Sequence, residues 1–158
     1  MARARDVEGL EAGEAFASAA ARIVSVRAHE LFDHAANVLD TEDIERVHAM
    51  RVATRRLRAV LEIFEPAFPP RAFDPVLEDV KALADALGAR RDPDVQIEHF
   101  TALRVELGPE EQAGADLLLA RLRDEQAEGN AVLAEALATA QERDLAGRLQ
   151  ALCDGAAS

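Results

Sequence analysis

The sequence has little of several residue types, and each shortage excludes a class of protein. It has one cysteine, Cys153, so an internal disulfide cannot form. It has no tryptophan or tyrosine, which leaves six phenylalanines as the only aromatic platforms for stacking nucleic-acid bases. No apolar run follows the basic residues at the N terminus, and none approaches the roughly 20 residues that span a bilayer. We therefore expect a cytoplasmic protein without a signal peptide or a membrane span.

Charge is divided unequally between the two signs. Thirty Asp and Glu residues against eighteen Lys and Arg residues give a net charge of -12 and a pI near 4.7. Such a surface repels nucleic acid and anionic membranes, so an anion could bind only at a local site. Lys81 is the single lysine, and arginine is therefore abundant by composition. Only the placement of the arginines is informative.

The chain reads as helical throughout. Ala, Leu, Glu and Arg are strong helix formers and dominate it, whereas Val and Ile do not cluster into strand-like runs. The sequence predicts an all-α protein, a single domain over residues 1–158. We expect an antiparallel helical bundle with long helices and short connections marked by proline and glycine. The predicted helices cover residues 7–39, 40–64, 74–88, 92–108 and 109–148.

Proline and glycine set several of these boundaries. The Asp-Pro pairs at 74–75 and 92–93 each combine a capping side chain with proline at the first helical position, and so predict helix starts. Gly88 would end the helix that lies between them. Gly129 and Gly147 are candidate interruptions of the last helix.

The second predicted helix contains a stretch without acids, VHAMRVATRRLRAV at residues 47–60, with one histidine and four arginines. At about 100° per residue, four basic side chains fall within an arc of roughly 80° beside the apolar side of the helix. We call these four residues the basic stripe: His48, Arg51, Arg55 and Arg58. Like charges three or four residues apart repel by a few tenths of a kcal/mol per pair, so the stripe has a cost.

Two interpretations of the stripe remain open. Acids from other helices could pair with it, or its guanidinium groups could bind a linear polyanion, because the planar fork of arginine holds two phosphate oxygens at once. In the second case the acidic remainder repels most polyanions and the stripe accepts the one that fits. His48 is predicted to be a neutral donor or a packing group.

A second basic motif, LGARRDPDV at residues 87–95, places Arg90 and Arg91 just before Asp92, the predicted cap of the fourth helix. The N–H groups and the dipole of a helix N terminus favour anions. A capped turn with two solvated arginines is the alternative.

The two motifs together resemble the CHAD family, the conserved histidine α-helical domain. VHAMRVATRRLRAVLEIF is followed about thirty residues later by LGARRDPDV. The resemblance is close over residues 10–105 and loose over 109–158. It implies an all-helical domain that binds inorganic polyphosphate through basic residues lining a groove or pore. Such domains are often attached to triphosphate-processing domains or associated with polyphosphate granules.

The resemblance implies polyphosphate contacts by position. The residues that match the first and second motifs are His48, Arg51, Arg55, Arg56, Arg58 and Arg91. Arg90 and Lys81 are added with a lower rank, since a basic residue at either position would suit such a groove. Asp92 is a cap or an orienting partner rather than a phosphate contact.

The chain also departs from the family pattern. CHAD domains usually have two helical halves, and the second half carries its own basic helix. No histidine follows His99 here, and the arginines after Gly108 are scattered among acids. The chain therefore resembles a half-length member or a fragment, and we expect a homodimer in which two copies complete the groove.

Other functions fit parts of the stripe less well. A histidine phosphotransfer bundle has an exposed histidine with a basic residue three positions on, as in His48 and Arg51, but small residues should follow where this chain has bulky, basic ones. A metal–carboxylate bundle would use Glu45 with His48, but it needs further inward acids, and the arginines would repel a cation. No Ser-His-Asp or Cys-His pattern and no Gly-rich phosphate loop is present, so we expect no enzyme activity and no cofactor.

Overall fold

The protein is a bundle of five α-helices in the computed structural model, which describes residues 3–157. The helices are α1 Phe16–Asp33, α2 Ile44–Phe64, α3 Pro70–Arg104, α4 Pro109–Glu142 and α5 Leu145–Ala157. A single turn of 3-10 helix, Glu65–Ala67, lies between α2 and α3. Residues 3–157 contain no β-strand, which confirms the predicted all-α class. None of the helices in this range is long and apolar enough to cross a membrane.

The main hydrophobic core lies among α1, α2, α5, the first half of α3 and the last part of α4. The sequence of α2 shows why, because its apolar residues recur every three or four positions and so share one side of the helix. The fully buried apolar side chains on that side include Val47, Met50, Leu57 and Leu61. Removing such a side chain from water stabilises the fold by roughly 1.5–3 kcal/mol. The opposite side of α2 is left to carry charge.

The antiparallel pair of α3 and α4 extends beyond this core. In the described chain the core has no member between Leu87 and Leu133. Over that stretch α4 buries Leu119 and Leu122, and the connection to α3, residues 105–108, lies at the far end. Only the N-terminal half of α3 is therefore held against α2.

The predicted break between the third and fourth helices is wrong. α3 is one helix of 35 residues that contains Pro75 and Pro93, and Gly88 lies within it. An interior proline removes one backbone hydrogen bond. However, Pro93 is buried, and the side chains of Arg90 and Asp94 pair across it. Packing and this ion pair keep the helix continuous where the local sequence indicates a start, so neither Asp-Pro pair begins a helix.

The break in the predicted last helix also lies elsewhere. Gly129 and Gly147 are inside α4 and α5, and the chain turns at Asp144, whose φ is 48°. Aspartate tolerates this left-handed conformation better than most residues. Its Oδ1 accepts a hydrogen bond from the backbone N–H of Gly147 at 3.1 Å. The Asp144 side chain thus caps the first turn of α5 and fixes the boundary.

The first helix is shorter than the predicted range of 7–39. Gly9 and Gly13 have positive φ, 73° and 93°, and residues 3–15 are not helical. We call residues 3–15 the N-terminal strap. The strap is held against α1 because the N–H of Arg5 donates to Glu30 at 3.3 Å and Arg27 donates to the carbonyl oxygen of Arg5 at 2.9 Å.

Candidate functional site

The basic stripe lies on α2 as the helical wheel predicts. The apolar side of the helix faces the core, so Arg51 and Arg55 are exposed, whereas His48 and Arg58 are partly buried at either end of the row. Between Arg46 and Arg58 the sequence has no acid, and α2 itself therefore offers no partner to the middle of the row.

Arg51 and Arg55 are the arginines that set this helix apart. Within residues 3–157 neither side chain forms an ion pair or a hydrogen bond. They stand one helical turn apart, where like charges repel, and nothing in the described chain relieves that repulsion. A chain with thirty acids has thus left two adjacent arginines without one.

Arg58, at the end of the stripe, is paired. Its Nε donates to Oε1 of Glu62 at 2.9 Å, four residues along the same helix. The hydrogen bond from Arg58 holds the pKa of the Glu62 carboxyl below its usual value, and the positive charge of Lys81 lowers that pKa further. Glu62, and to a lesser extent Asp85 of α3, raise the pKa of Arg58.

Arg56 points away from the stripe and joins α2 to α1. Its Nη1 donates to Oε1 of Glu30 at 3.1 Å. Glu30 is buried and also accepts a hydrogen bond from Arg27 at 2.7 Å. Burial by itself would raise the pKa of Glu30, but the hydrogen bond and charge of Arg27, the N–H of Arg5 and the charge of Arg56 together lower it. Arg56 is therefore one of the groups that neutralise a buried carboxylate.

The first half of α3 runs antiparallel to α2 and faces the stripe. Arg58 interacts electrostatically with Asp85, and Glu62 with Lys81, which fixes the level of one helix against the other. Both helices rise about 1.5 Å per residue, so the same register sets Gly88 across from Arg55. A Cβ at Gly88 would meet no atom within 4 Å. The space beside Arg55 is therefore open on the α3 side.

Arg91 lies one turn farther along α3, near the level of Arg51 in this register. It is partly buried, and its Nη1 is buried without a hydrogen-bond partner in the described chain. Buried polar groups are almost always hydrogen-bonded, so an unsatisfied guanidinium nitrogen is uncommon. Arg91 thus adds a third arginine without a carboxylate partner to the two on α2.

Arg90, which was predicted to stand at an exposed helix start, is fully buried between α3 and α4. It pairs with Asp94, and its Nε donates to Oδ1 of Asn130 at 3.1 Å. Gln126 also donates to Asp94, at 2.6 Å. Because α3 continues through Asp92, there are no free N–H groups of a helix start here. The predicted helix-terminus site for anions is therefore wrong.

Sequence reasoning missed the polar network around Arg90. The spacing of Arg90 and Asp94, four residues apart, was the readable signal, since such pairs meet on one side of a helix. Gln126 and Asn130 lie 32 and 40 residues away from their partners, and no local pattern indicates them.

His48 is partly buried and forms no hydrogen bond with the rest of the described chain. The Glu45 and His48 pair lies on one face of α2 at the spacing of a metal-ligand motif. Within residues 3–157, no group of three or more His, Cys, Asp or Glu side chains is arranged to hold a metal ion.

A comparison with protein families gives one match to this geometry. The model of the CHAD domain matches residues 22–158, which includes α4 and α5 as well as the two basic motifs. Comparisons with the curated proteins and with the solved structures each found no match. Nearly the whole chain is covered by the family match, and it includes all of the stripe. The chain belongs to the CHAD family.

Proposed function

We propose that the protein binds inorganic polyphosphate, without catalysis, between the stripe on α2 and the facing side of α3. Arg51, Arg55 and Arg91 would make the main contacts. The observation that carries the proposal is the absence of any carboxylate partner for Arg51 and Arg55 within residues 3–157. Membership of the CHAD family supports the same ligand, because polyphosphate binding is commonly linked to this domain.

The chemistry of the three arginines suits a chain of phosphates. A guanidinium remains charged at any physiological pH and binds phosphate oxygens in pairs. Arg51 and Arg55 are separated by one turn along the axis of α2, so a linear anion could follow the helix and meet both. The acidic remainder of the surface, with a net charge of -12 for the whole chain, would repel anions that do not fit this strip.

The other predicted contacts receive different roles. His48, Arg58 and Lys81 stand at the ends of the strip and would contribute less, His48 as a neutral donor. Arg56 and Arg90 are engaged with Glu30 and Asp94, and we propose that they hold helices together rather than touch the ligand.

Titration calorimetry with long-chain polyphosphate tests the proposal. The double variant Arg51→Ala/Arg55→Ala should lose affinity by at least tenfold, since each charge-assisted hydrogen bond contributes about 1.5–3 kcal/mol. The matched control is Arg121→Ala/Arg123→Ala, which removes the same charge from exposed positions of α4. Equal losses in both variants, or no binding by the folded wild-type protein, would contradict the proposal.

We further propose that two copies form a homodimer around the ligand. The three arginines without carboxylate partners line one strip, and a second copy would supply an opposing one. Polyphosphate granules, or a triphosphate-processing domain, are the partners that fit such a role. Sedimentation equilibrium with and without polyphosphate checks this, and a monomer at every concentration in both conditions would overturn it.

A further inference from the structure

Positive charge does not continue along the whole stripe. Arg51 and Arg55 have no acid beside them, whereas Arg58 donates to Glu62 at 2.9 Å. Arg55 and Arg58 are three residues apart, so the change occurs over about 4.5 Å along the helix axis. The stripe thus has an open part and a neutralised end.

The facing side of α3 repeats this pattern at the same level. Lys81 interacts electrostatically with Glu62, and Asp85 with Arg58, across the two helices. The four residues alternate in sign and sum to zero charge. Next to them come Gly88, which has no side chain, and then Arg91. The neutral block therefore closes the end of the strip on both helices.

We propose that Glu62 and Asp85 form an acidic stop that limits how many phosphates of one chain the strip can hold. The inference rests on the proposed polyphosphate function. A short anion could lie along Arg51, Arg55 and Arg91 without meeting the stop. A longer one that continued past Arg55 would meet two carboxylates, which repel it and already occupy Arg58 and Lys81. Glu62 and Asp85 would thus determine the length of anion that each copy accommodates.

The double variant Glu62→Gln/Asp85→Asn tests the stop, because it releases Arg58 and Lys81 while preserving the size of both side chains. The matched control is Glu125→Gln/Asp116→Asn. Glu125 pairs with Arg121 at 3.1 Å with the same spacing of four residues, and Asp116 pairs with Arg104. Both variants change the net charge by the same amount. Each is titrated with tripolyphosphate and with long-chain polyphosphate.

We expect the stop variant to bind long-chain polyphosphate about tenfold more tightly than the control does, since a released charge-assisted contact is of that size. The dependence of log affinity on log salt should steepen by up to about 1.4, for two added phosphate contacts on a single-stranded polyanion. Affinity for tripolyphosphate should match that of the control, because a short anion does not reach the stop.

The outcomes separate the stop from the function on which it rests. If the wild-type protein binds neither ligand, the proposed function and the stop both fail. If the wild-type protein binds but the stop variant gains no more for the long chain than the control does, the stop is overturned and the function stands. An equal gain for both ligands also overturns the stop, since it would reflect net charge alone.

Discussion

Arginine occurs in two contrasting settings in this protein. At the interface of α3 and α4, Arg90 is fully buried and is held by Asp94 and Asn130. On α2, Arg51 and Arg55 are exposed and have no partner within residues 3–157. A buried guanidinium needs a carboxylate because the loss of hydration is not otherwise offset, whereas an exposed one remains hydrated. The contrast teaches that the unpartnered arginines are the ones available to a ligand.

Removing the partner of the buried arginine should have the largest effect. Asp94→Ala leaves Arg90 charged and unpaired in the interior, which is expected to cost about 3–5 kcal/mol of unfolding free energy. Arg51→Ala should change the unfolding free energy by less than about 0.5 kcal/mol, because its side chain is exposed and unpaired. Urea denaturation of both variants checks the difference. Similar losses in the two would show that the two settings are not distinct.

Two helical glycines sharpen the contrast between the same regions. A Cβ at Gly129 would lie 3.0 Å from the carbonyl oxygen of Ala89, beside Arg90, so Gly129→Ala should destabilise the fold by about 1–3 kcal/mol. Gly88 faces open space near Arg55, so Gly88→Ala should stabilise α3 by about 0.5–1 kcal/mol. Thermal unfolding of the two variants measures both signs. A loss of stability at Gly88 would mean that the space beside Arg55 is filled.

The carboxylate that holds Arg56 gives the contrast a pH dependence. The pKa of Glu30 is lowered from its ordinary 4.5, because its hydrogen bond and attraction to Arg27 and the contribution of Arg56 outweigh its burial. A depressed pKa means that Glu30 stabilises the fold above 4.5 and that this stability is lost as the pH falls through the folded-state pKa.

Glu30→Gln isolates that contribution. The unfolding free energy of the wild-type protein should fall more between pH 6 and pH 3 than that of the variant, roughly in the range where carboxylates protonate. Urea denaturation across this range measures the two slopes. Parallel slopes would count against a charged Glu30 as the link between α1 and α2.

The sequence predicted the part of the site that depends on one helix. The apolar residues of α2 recur with the helical period, so its core side and the exposure of Arg51 and Arg55 could both be read from spacing. The stripe was therefore placed correctly before the structure was known.

Contacts between distant segments could not be read in this way. Arg56 meets Glu30 across 26 residues, and Arg90 meets Asn130 across 40, so their roles depend on how the helices pack. The same holds for α3, where tertiary packing overrides the local helix-start signal at Asp92 and Pro93. The two arginines whose role changed are thus the two with long-range partners.

The most direct test of the central claim is the salt dependence of polyphosphate binding. If Arg51 and Arg55 are held in reserve for phosphates, each releases counterions on binding, and log affinity should fall linearly with log salt. The slope should be shallower by about 1.4 in Arg51→Ala/Arg55→Ala than in the wild-type protein, since two contacts are lost. An identical slope in the two proteins would show that the ligand binds elsewhere and would contradict the account.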